Sequence, residues 1–506
     1  MAVDVSSEAP LRTARRVRLD IVWLAAAAVT LLLANGRWIV PACAWIAPAC
    51  ALRFLRGQHA GVRLAVLFVL LGGTTAATWL GLVPLHGMAL GFLAAGMAAL
   101  QVLPYVAHRL LAPRLRGLSS TLVLPLASAT VEYVTSLANP YGTWGATAYT
   151  QTSDLPLLQL VSVTGIFGIT FVVTWFASTL DLVLEREPNG RTSALVYTSV
   201  LAAILCFGGL RLLSGSDTSA AVPVATITMK PGPAASMWRL LRTRTDTAQI
   251  SALHDRSRAL QDSLLAATAR AIGAGARVVV WSELAALVLQ EDEAAFVDEA
   301  RRLSKRQGAT LCIGLGTFTP GHRRMENKTL VLTPGDAPPV SYFKSHPVPG
   351  DPETGGPEVV KPVDSPWGRV AAPICFDVDF PGFVRQVGRA HVGILLVPAH
   401  DWREIGDLHA RMAVCRAVEN GASLVRATGD GVSVAADSRG RILGWSSSFT
   451  QREGFPSLLT EVPGEASPTL YARAGDVFAW LCIAAMIVIA ARTTWVAREA
   501  RRRRIA

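Results

Sequence analysis

Long apolar runs separated by short polar loops fill the chain before residue 215, and one more run lies near its end. Each run approaches the roughly 20 apolar residues that a helix needs to cross the hydrocarbon core of a bilayer. The predicted spans are Ile21–Ala34, Trp38–Leu55, Leu64–Val83, Met88–Val106, Leu118–Leu137, Leu157–Leu184, Ala194–Leu213 and Phe478–Val496. The first two are short, so a re-entrant pair is an alternative for them. We therefore predict a transmembrane bundle of about seven spans at 1–214 and a final transmembrane helix with a basic tail at 474–506.

The hydrophobic period changes between residues 215 and 473, where short apolar strands alternate with amphipathic helices. The predicted strands are Val222–Met229, Arg277–Trp281, Thr310–Gly314, Asn327–Thr333, Val340–Lys344, Val370–Ile374, Val392–Pro398, Ser423–Thr428, Gly431–Ala436 and Ile442–Ser446. The predicted helices are Ala248–Ala274, Asp292–Gln307, Phe383–Ala390 and His409–Asn420. Strand–helix alternation followed by hairpins predicts one α/β layered domain at 215–473.

The composition agrees with a membrane protein that carries one globular domain. Of 506 residues, 51% are hydrophobic, and the formal net charge is +11. The mean hydropathy is +0.37. The basic residues cluster beside the apolar spans, and the globular part has no basic stripe with interleaved aromatic residues. We therefore predict that the protein does not bind nucleic acid.

The basic residues also predict the orientation of the spans. Arginines lie before the first span, after the second, fourth and sixth, and after the last. The alternate loops Asn35–Arg37, Pro84–Gly87 and Asn139–Pro156 carry one basic residue in total, Arg37. By the positive-inside rule, both termini are cytoplasmic and residues 215–473 are extracytoplasmic. The predicted location is the cell (inner) membrane.

Cysteine and histidine spacing gives no metal or disulfide pattern. The seven cysteines include no CxxC pair, and four of them lie in apolar spans. A group near the middle of the globular part, His400, Asp401, Asp407 and His409, contains possible ligand types without the spacing of a known site. We predict neither a metal nor another cofactor.

Three polar residues each follow an apolar strand: Glu283 in VVVWSE, Lys344 in VSYFK and Cys375 in APIC. Strand ends are where α/β folds place reactive groups, because side chains there converge on one crevice. A thiol needs a base to become a thiolate, and a carboxylate can serve as that base. An ammonium group can stabilise the oxyanion that forms at an attacked carbonyl. The three residue types therefore predict a nucleophile, a base and an electrostatic partner in one site.

Glu, Lys and Cys in this order at strand ends resemble the nitrilase (carbon–nitrogen hydrolase) superfamily. With the membrane spans on both sides, the whole chain is similar to the apolipoprotein N-acyltransferases. The resemblance implies a nitrilase-like α-β-β-α sandwich, with Glu283 as general base, Lys344 supporting the tetrahedral intermediate and Cys375 forming a thioester with a phospholipid acyl chain. It also implies a lipoprotein acceptor, whose amino-terminal cysteine is N-acylated.

Other segments resemble the family more loosely. Trp238 lies where family members carry a tryptophan, and the resemblance implies a supporting role in the site for Trp238 and Asp377. Asn327 resembles the asparagine that opens the corresponding strand. The segment HARMAVCRAVENGASLVRATGDG resembles a family helix and the strand after it, at Arg411, Arg416, Glu419, Arg426 and Thr428.

Several positions depart from the family pattern. Ser282 replaces the usual proline before the base, Asp377 replaces a glutamate two residues after the nucleophile, and HDWREI lacks the Phe-Gly of the related motif. The loop after the lysine usually carries a glutamate, and here Asp351 or Glu353 must replace it. We predict Asp351, because it follows Val-Pro-Gly, and expect Glu353 to point to solvent beyond Pro352.

Two other functions are compatible with the same sequence. A membrane-anchored nitrilase-type amidase would use water as the acceptor. A non-catalytic transporter or scaffold would need no triad, and few charges lie at the centres of the spans. We predict an acyltransferase that acts as a monomer on a phospholipid donor and a lipoprotein acceptor.

Overall fold

A computed structural model describes residues 8–57, 59–214, 221–228, 247–319, 322, 324–450 and 457–505. Trp238, one of the predicted site residues, lies outside the described residues.

The part of the chain before residue 215 is helical. Its longer helices are α1 (Glu8–Leu32), α2 (Pro41–Leu55), α3 (Ala60–Trp79), α4 (Gly87–Leu111), α5 (Val123–Ala138), α6 (Phe167–Leu184) and α7 (Gly190–Leu213). Short helical turns occur at Ala112–Arg114, Leu118–Thr121, Thr147–Gln151, Leu155–Leu158 and Val161–Thr164.

Within the described residues, six helices are long and apolar enough to cross a membrane. They are Ala60–Trp79, Gly87–Arg114, Leu118–Ala138, Phe167–Leu184, Gly190–Leu213 and Val477–Glu499. The apolar segments Leu19–Leu32 and Pro41–Leu55 are shorter, as the sequence indicated for the first two spans. The protein is therefore a membrane protein with several apolar helices.

The prediction of one continuous span at Leu157–Leu184 is wrong. Two single turns precede a shorter helix that begins at Phe167. Gly165 separates them with a φ of 64°, a backbone conformation that glycine adopts without strain. The ring of Tyr471 packs against this glycine, since a Cβ there would lie 2.7 Å from the ring. The chain thus leaves the helical conformation where it meets a segment from near its C-terminus.

The globular part contains two sheets. One has seven strands: β1 (Ala221–Ile227), β2 (Val278–Trp281), β3 (Ala286–Leu289), β4 (Thr310–Phe318), β5 (Glu326–Leu332), β6 (Val340–Phe343) and β13 (Ser457–Pro463). The other has six: β7 (Val363–Ser365), β8 (Gly368–Ala371), β9 (Ile394–His400), β10 (Ser423–Gly429), β11 (Val432–Ala436) and β12 (Ile442–Ser447). The helices are α8 (Thr247–Gly273), α9 (Glu293–Gln307), α10 (Pro381–Arg389), α11 (Gly406–Asn420), α12 (Leu470–Ala474) and α13 (Val477–Ile505).

The two sheets pack face to face between two layers of helices. The strand order is β13-β1-β2-β4-β5-β6 in the first sheet, with β3 beside β4, and β12-β11-β10-β9-β8-β7 in the second. Strands β1, β2 and β4 pair in parallel, as do β8, β9 and β10. Valines of both sheets form the central core, while α8 and α9 cover one outer face and α10 and α11 cover the other. This α-β-β-α sandwich beside apolar membrane helices confirms the predicted fold class.

The membrane helices and the sandwich share a continuous apolar core. Phe376, Leu408 and Met412 of the sandwich belong to the same buried cluster as Trp144 and Leu158 of the helical part. Hydrogen bonds cross the same boundary elsewhere. Arg439 donates to the carbonyl of Arg211 at 2.8 Å, and the Gln159 amide donates to the carbonyl of Arg439 at 2.9 Å. The division into 1–214, 215–473 and 474–506 remains our proposed description of the domains.

Candidate active site

The ends of three strands bring the predicted triad to one place. Glu283 lies two residues after β2, and Lys344 directly follows β6. Strand β8 ends at Ala371, earlier than predicted, and Cys375 begins a 3-10 turn that runs to Asp379. The three side chains are almost fully buried, at 3%, 2% and 3% exposure, in the order of the sequence. The site is therefore formed by residues that follow strand ends and meet in the folded protein, not by neighbours in the sequence.

A compact ion cluster holds the two charged members of the triad. The Lys344 Nζ donates to Glu283 Oε1 at 2.7 Å and lies 3.1 Å from Glu353 Oε2. The side-chain amide of Asn327 donates to Glu283 Oε1 at 2.7 Å and to Glu353 Oε1 at 2.8 Å. Lys344 and the side-chain amide of Asn327 thus bridge two buried carboxylates. Asn327 lies near the start of β5, and its role is to hold Glu283 and Glu353 together.

The charges in this cluster stabilise one another against burial. Burial opposes ionisation of Glu283, but the charge and hydrogen bond of Lys344 outweigh it and lower the pKa of this carboxyl. Burial likewise opposes the charge of Lys344, but Glu283 and Glu353 outweigh it and raise the pKa of the amine well above its ordinary value. Burial raises the pKa of Glu353 to about 7, although Lys344 acts in the opposite direction. Glu283 is therefore ionised at neutral pH.

The preference for Asp351 as the loop carboxylate is wrong, because the structure places Glu353 in the site. Asp351 is exposed, whereas Glu353 is 5% exposed. The N–H of Met325 donates to the carbonyl of Pro352 at 3.1 Å, and the N–H of Thr354 donates to Met325 at 3.1 Å. This strand-like pairing beside β5 turns the side chain of Glu353 inward.

Cys375 has an unusual backbone conformation and a buried thiol. Its φ is 46°, in the left-handed region that non-glycine residues seldom adopt. The Sγ lies 3.6 Å from the carbonyl oxygen of His400. Burial, and then the charge of Glu283, raise the pKa of the thiol well above its ordinary value, while Lys344 lowers it. A neutral thiol beside an ionised carboxylate is suited to proton transfer at the moment of attack.

Asp377 fastens the nucleophile turn to the strand that carries the lysine. Its carboxylate accepts hydrogen bonds from the N–H of Ile374 at 3.0 Å, the hydroxyl of Tyr342 at 2.7 Å and the N–H of His346 at 2.7 Å. The His346 ring stacks on Phe380 with the ring centroids 4.0 Å apart. Asp377 is thus fully engaged in holding the turn, which fits the supporting role expected for it.

A second buried ion network lies on the other side of the thiol. His409 Nδ1 is 2.8 Å from Asp401 Oδ1, and its Nε2 is 3.2 Å from Asp379 Oδ2. The Arg426 guanidinium donates to both oxygens of Asp401 at 2.9 and 3.0 Å. Burial opposes protonation of His409, but Asp379 and Asp401 outweigh it and raise its pKa to about 9.

Three of these groups are close enough to be considered as metal ligands. Donor atoms of Cys375, Asp401 and His409 lie within 4.8 Å of one another. However, both ring nitrogens of His409 already face carboxylates, and Asp401 is already paired with Arg426. The two carboxylates, the imidazolium and the guanidinium balance in charge, so the donor set fits an internal ion network better than a metal site.

Sequence reasoning did not anticipate this second network or the role of Glu353. Asp401 lies in HDWREI, which departs from the family motif, and His409 begins the segment that resembles a family helix. The signal that could have found them is the concentration of ionisable groups between His400 and Arg411, together with the second acidic residue of the turn, Asp379. Arg416 and Glu419 form a separate buried ion pair at 2.9 Å, and Arg411 pairs with Asp407 on the surface.

Comparisons with known proteins agree with this architecture. The family model Carbon-nitrogen hydrolase matches residues 247–453. The family model Apolipoprotein N-acyltransferase N-terminal domain matches residues 21–179. An apolipoprotein N-acyltransferase from Geobacter metallireducens is 26% identical over 409 residues, which cover 74% of each chain. One from Bradyrhizobium diazoefficiens is 27% identical over 413 residues, again 74% of each chain. An amidase of the nitrilase superfamily from Nesterenkonia AN1 is 18% identical, with a TM-score of 0.40, over 52% of this chain and 96% of that one.

The double-sheet sandwich and the matched hydrolase region place the globular part in the carbon–nitrogen hydrolase class of enzymes. The matched membrane region corresponds to the N-terminal domain of the apolipoprotein N-acyltransferases. The chain combines both matched regions, as do the apolipoprotein N-acyltransferases to which it is similar, and the protein is an acyltransferase enzyme.

Proposed function

We propose that the protein transfers an acyl chain from a membrane phospholipid to the amino-terminal cysteine of a lipoprotein, through a thioester on Cys375. The observation that supports this most directly is the buried Glu283–Lys344–Glu353 cluster beside a thiol that is held at a positive φ. In this scheme Glu283 is the general base and Lys344 the oxyanion partner. Asp377 holds the turn, and Trp238 is kept as a supporting residue on the family resemblance alone.

In the first half-reaction, the Sγ of Cys375 attacks the carbonyl carbon of a phospholipid ester while its proton moves to Glu283. The new oxyanion is stabilised by the Lys344 ammonium, a contribution of about 3 kcal/mol for one well-placed donor. Collapse of the tetrahedral intermediate breaks the ester C–O bond, and Glu283 returns the proton to the leaving alkoxide. The products are a lysophospholipid and the thioester.

In the second half-reaction, the neutral α-amine of the acceptor attacks the thioester carbonyl. Glu283 takes a proton from the attacking nitrogen and delivers it to the departing Sγ. The amide product leaves, and the thiol is regenerated in its original protonation state. Because the same carboxylate acts in both directions, a ping-pong sequence needs no further acid or base.

The membrane helices give this chemistry its substrates. Both the donor and the acceptor carry acyl chains, and a site packed against apolar helices allows them to enter from the bilayer. The distribution of arginines supports an extracytoplasmic sandwich in the inner membrane, where the lipid-modified acceptor would be exposed. We propose that the protein acts as a monomer, since every triad residue comes from one chain.

The test is direct detection of the acyl-enzyme. The full-length protein in micelles is incubated with a phospholipid of defined acyl chains, and its intact mass is measured before and after addition of a diacylglyceryl lipopeptide with a free amino-terminal cysteine. We expect one acyl adduct on Cys375, which disappears as the N-acyl peptide forms. Cys375→Ser should lose at least about 10³-fold in rate, because a carboxylate is too weak a base for a serine hydroxyl.

Cys206→Ser is the matched control, since this cysteine is exposed on α7, away from the site. It should keep the full rate. An adduct that decays to free fatty acid without any amide product would identify a hydrolase instead. Turnover by Cys375→Ser close to that of the wild type would exclude the thioester.

A further inference from the structure

A loop that follows α5 contacts the 3-10 turn Cys375–Asp379, the nucleophile turn, directly. This loop belongs to the membrane part, the helical part of the chain before residue 215. The N–H of Thr143 donates to the carbonyl of Asp379 at 3.2 Å, and the Thr143 hydroxyl donates to the same oxygen at 2.8 Å. The indole N–H of Trp144 donates to Asp379 Oδ2 at 2.8 Å. Asp379 is the last residue of the turn that Cys375 begins. Both the backbone and the side chain of that residue are therefore held by the membrane part.

The close approach depends on a glycine. Gly142 has a φ of 57°, and a Cβ at this position would lie 2.6 Å from the carbonyl oxygen of Asp379. A side chain here would therefore push the loop away from the turn as well as strain its backbone. The loop can therefore approach the turn this closely because position 142 is a glycine.

The contact continues through the second ion network to the thiol. Asp379 Oδ2, which accepts from Trp144, is also the oxygen that lies 3.2 Å from His409. The Trp144 ring lies beside the His409 ring, with the centroids 5.5 Å apart. Trp144 and His409 also line the small cavity, of about 30 Å³, that Cys375 lines. The buried contacts thus run without a gap from the loop to the nucleophile.

We propose that Thr143 and Trp144 are positioning residues, which hold the nucleophile turn in its active conformation from the membrane side. A cysteine at positive φ persists only where its surroundings fix it. Asp377 fixes the turn from the sandwich side, near its start, and the loop fixes it from the membrane side, at its end. The membrane part then acts in catalysis as well as in anchoring. This inference rests on the proposed function for the reaction that it serves.

The test uses Trp144→Phe, which keeps an aromatic ring and removes the N–H, and Thr143→Val, which keeps the shape and removes the hydroxyl. Arg439→Gln is the control, because it removes a bond between the same two parts of the protein without touching the turn. Three quantities are measured on the full-length protein in micelles: the single-turnover acylation rate, the melting temperature, and the pH profile of Cys375 alkylation by iodoacetamide.

We expect both loop variants to acylate at least about tenfold more slowly, with melting temperatures close to that of the wild type. A loosened turn exposes the Cys375 thiol to solvent, which lowers the pKa of the thiol. The pH at which alkylation reaches half of its maximal rate should therefore fall by about one unit. Arg439→Gln should change neither quantity.

The inference is overturned if Trp144→Phe and Thr143→Val keep the wild-type alkylation profile and acylation rate. It is also overturned if all three variants lose activity in proportion to a fall in melting temperature, because the loop would then be packing only. The alkylation profile needs no lipid. A wild type that forms no thioester would therefore refute the proposed function while the comparison of profiles still decides the positioning role.

Discussion

Two carboxylates in one loop have different surroundings, although a single residue separates them. Glu353 lies against Lys344 and Asn327, whereas Asp351 is exposed. The sequence could not distinguish them, because the difference depends on the pairing of Pro352 and Thr354 with Met325, the residue just before β5. The order of residues within the loop does not reveal that pairing, because Met325 lies outside the loop.

We predict that Glu353→Gln slows thioester formation by at least about tenfold, whereas Asp351→Asn stays within about twofold of the wild type. Above its pKa of about 7, Glu353 is one of the two negative charges that hold Lys344 in place; the first change removes it, and a buried ion left with fewer partners is costly. The rate is read from the growth of the acyl adduct by intact-mass spectrometry. The two variants are matched, since each replaces one carboxylate of the same loop by its amide. A larger effect from Asp351→Asn than from Glu353→Gln would restore the prediction made from the sequence.

The convergence of Glu283, Lys344 and Cys375 on one place could be predicted at the level of single residues. Glu283, Lys344 and Cys375 each interrupt an apolar run with a polar group, and such interruptions occur where strands end. The ion network of Asp379, Asp401, His409 and Arg426 could not be predicted from the sequence, because its members come from a turn, a loop, a helix and a strand. Only the folded sheets bring those four side chains together.

Elements with strong periodicity were predicted closely, and short paired strands were not. The helix predicted at Asp292–Gln307 is α9, Glu293–Gln307. Strand β13 was missed, since it is held by antiparallel pairing with β1, more than 200 residues earlier. Strands β3 and β7 were missed as well, because each is short and has one strand partner. Their apolar patterns alone are too brief to indicate a strand.

The helix that carries His409 leads to a prediction about pH. His409 faces Asp379 of the turn, Asp401 of the loop after β9, Arg426 of β10 and the ring of Trp144. The two carboxylates raise its pKa to about 9. A raised pKa in the folded state gives stability that is complete below the unfolded value of about 6.5 and is lost as the pH rises toward 9.

We therefore expect the melting temperature of the wild type to fall by several degrees between pH 6.5 and 9. His409→Gln, which cannot be charged, should melt lower at pH 6.5 and lack this part of the decline. Arg411→Gln is the control on the same helix, because Arg411 pairs with Asp407 on the surface and should leave the decline unchanged. Equal slopes in the wild type and in His409→Gln would show that His409 is not protonated in the folded protein.

At the scale of the whole molecule, the membrane helices and the sandwich are joined at several places. The nucleophile turn, the β11–β12 hairpin and α11 all meet residues of the helical part. A sandwich expressed alone would expose that shared core and lose the contacts to Asp379. This arrangement also constrains the topology, because the loop Asn139–Pro156, the end of α7 at Leu213 and the sandwich must lie on one side of the bilayer.

The charge pattern predicts which side of the bilayer that is. Loops on the side of Asn139–Pro156 carry Arg37 as their one basic residue, while the opposite loops are rich in arginine. The short apolar segments Leu19–Leu32 and Pro41–Leu55 do not change this result. Two crossings and one re-entrant pair both return the chain to the side on which it started. The orientation inferred from positive-inside asymmetry is thus independent of how those two helices lie.

We predict that the sandwich is extracytoplasmic and the C-terminal tail cytoplasmic. Single cysteines are introduced into a Cys206→Ser background at Arg302, which is exposed on α9, and at Arg502, which is exposed in the tail. A membrane-impermeant maleimide added to intact spheroplasts should label the cysteine at position 302, because that surface faces the outside. The cysteine at position 502 should react after permeabilisation alone. The untouched background protein measures labelling of the native thiols, which are buried. Labelling of position 502 in intact spheroplasts, with position 302 protected, would invert the topology and place the proposed acceptor on the wrong side of the membrane for this enzyme.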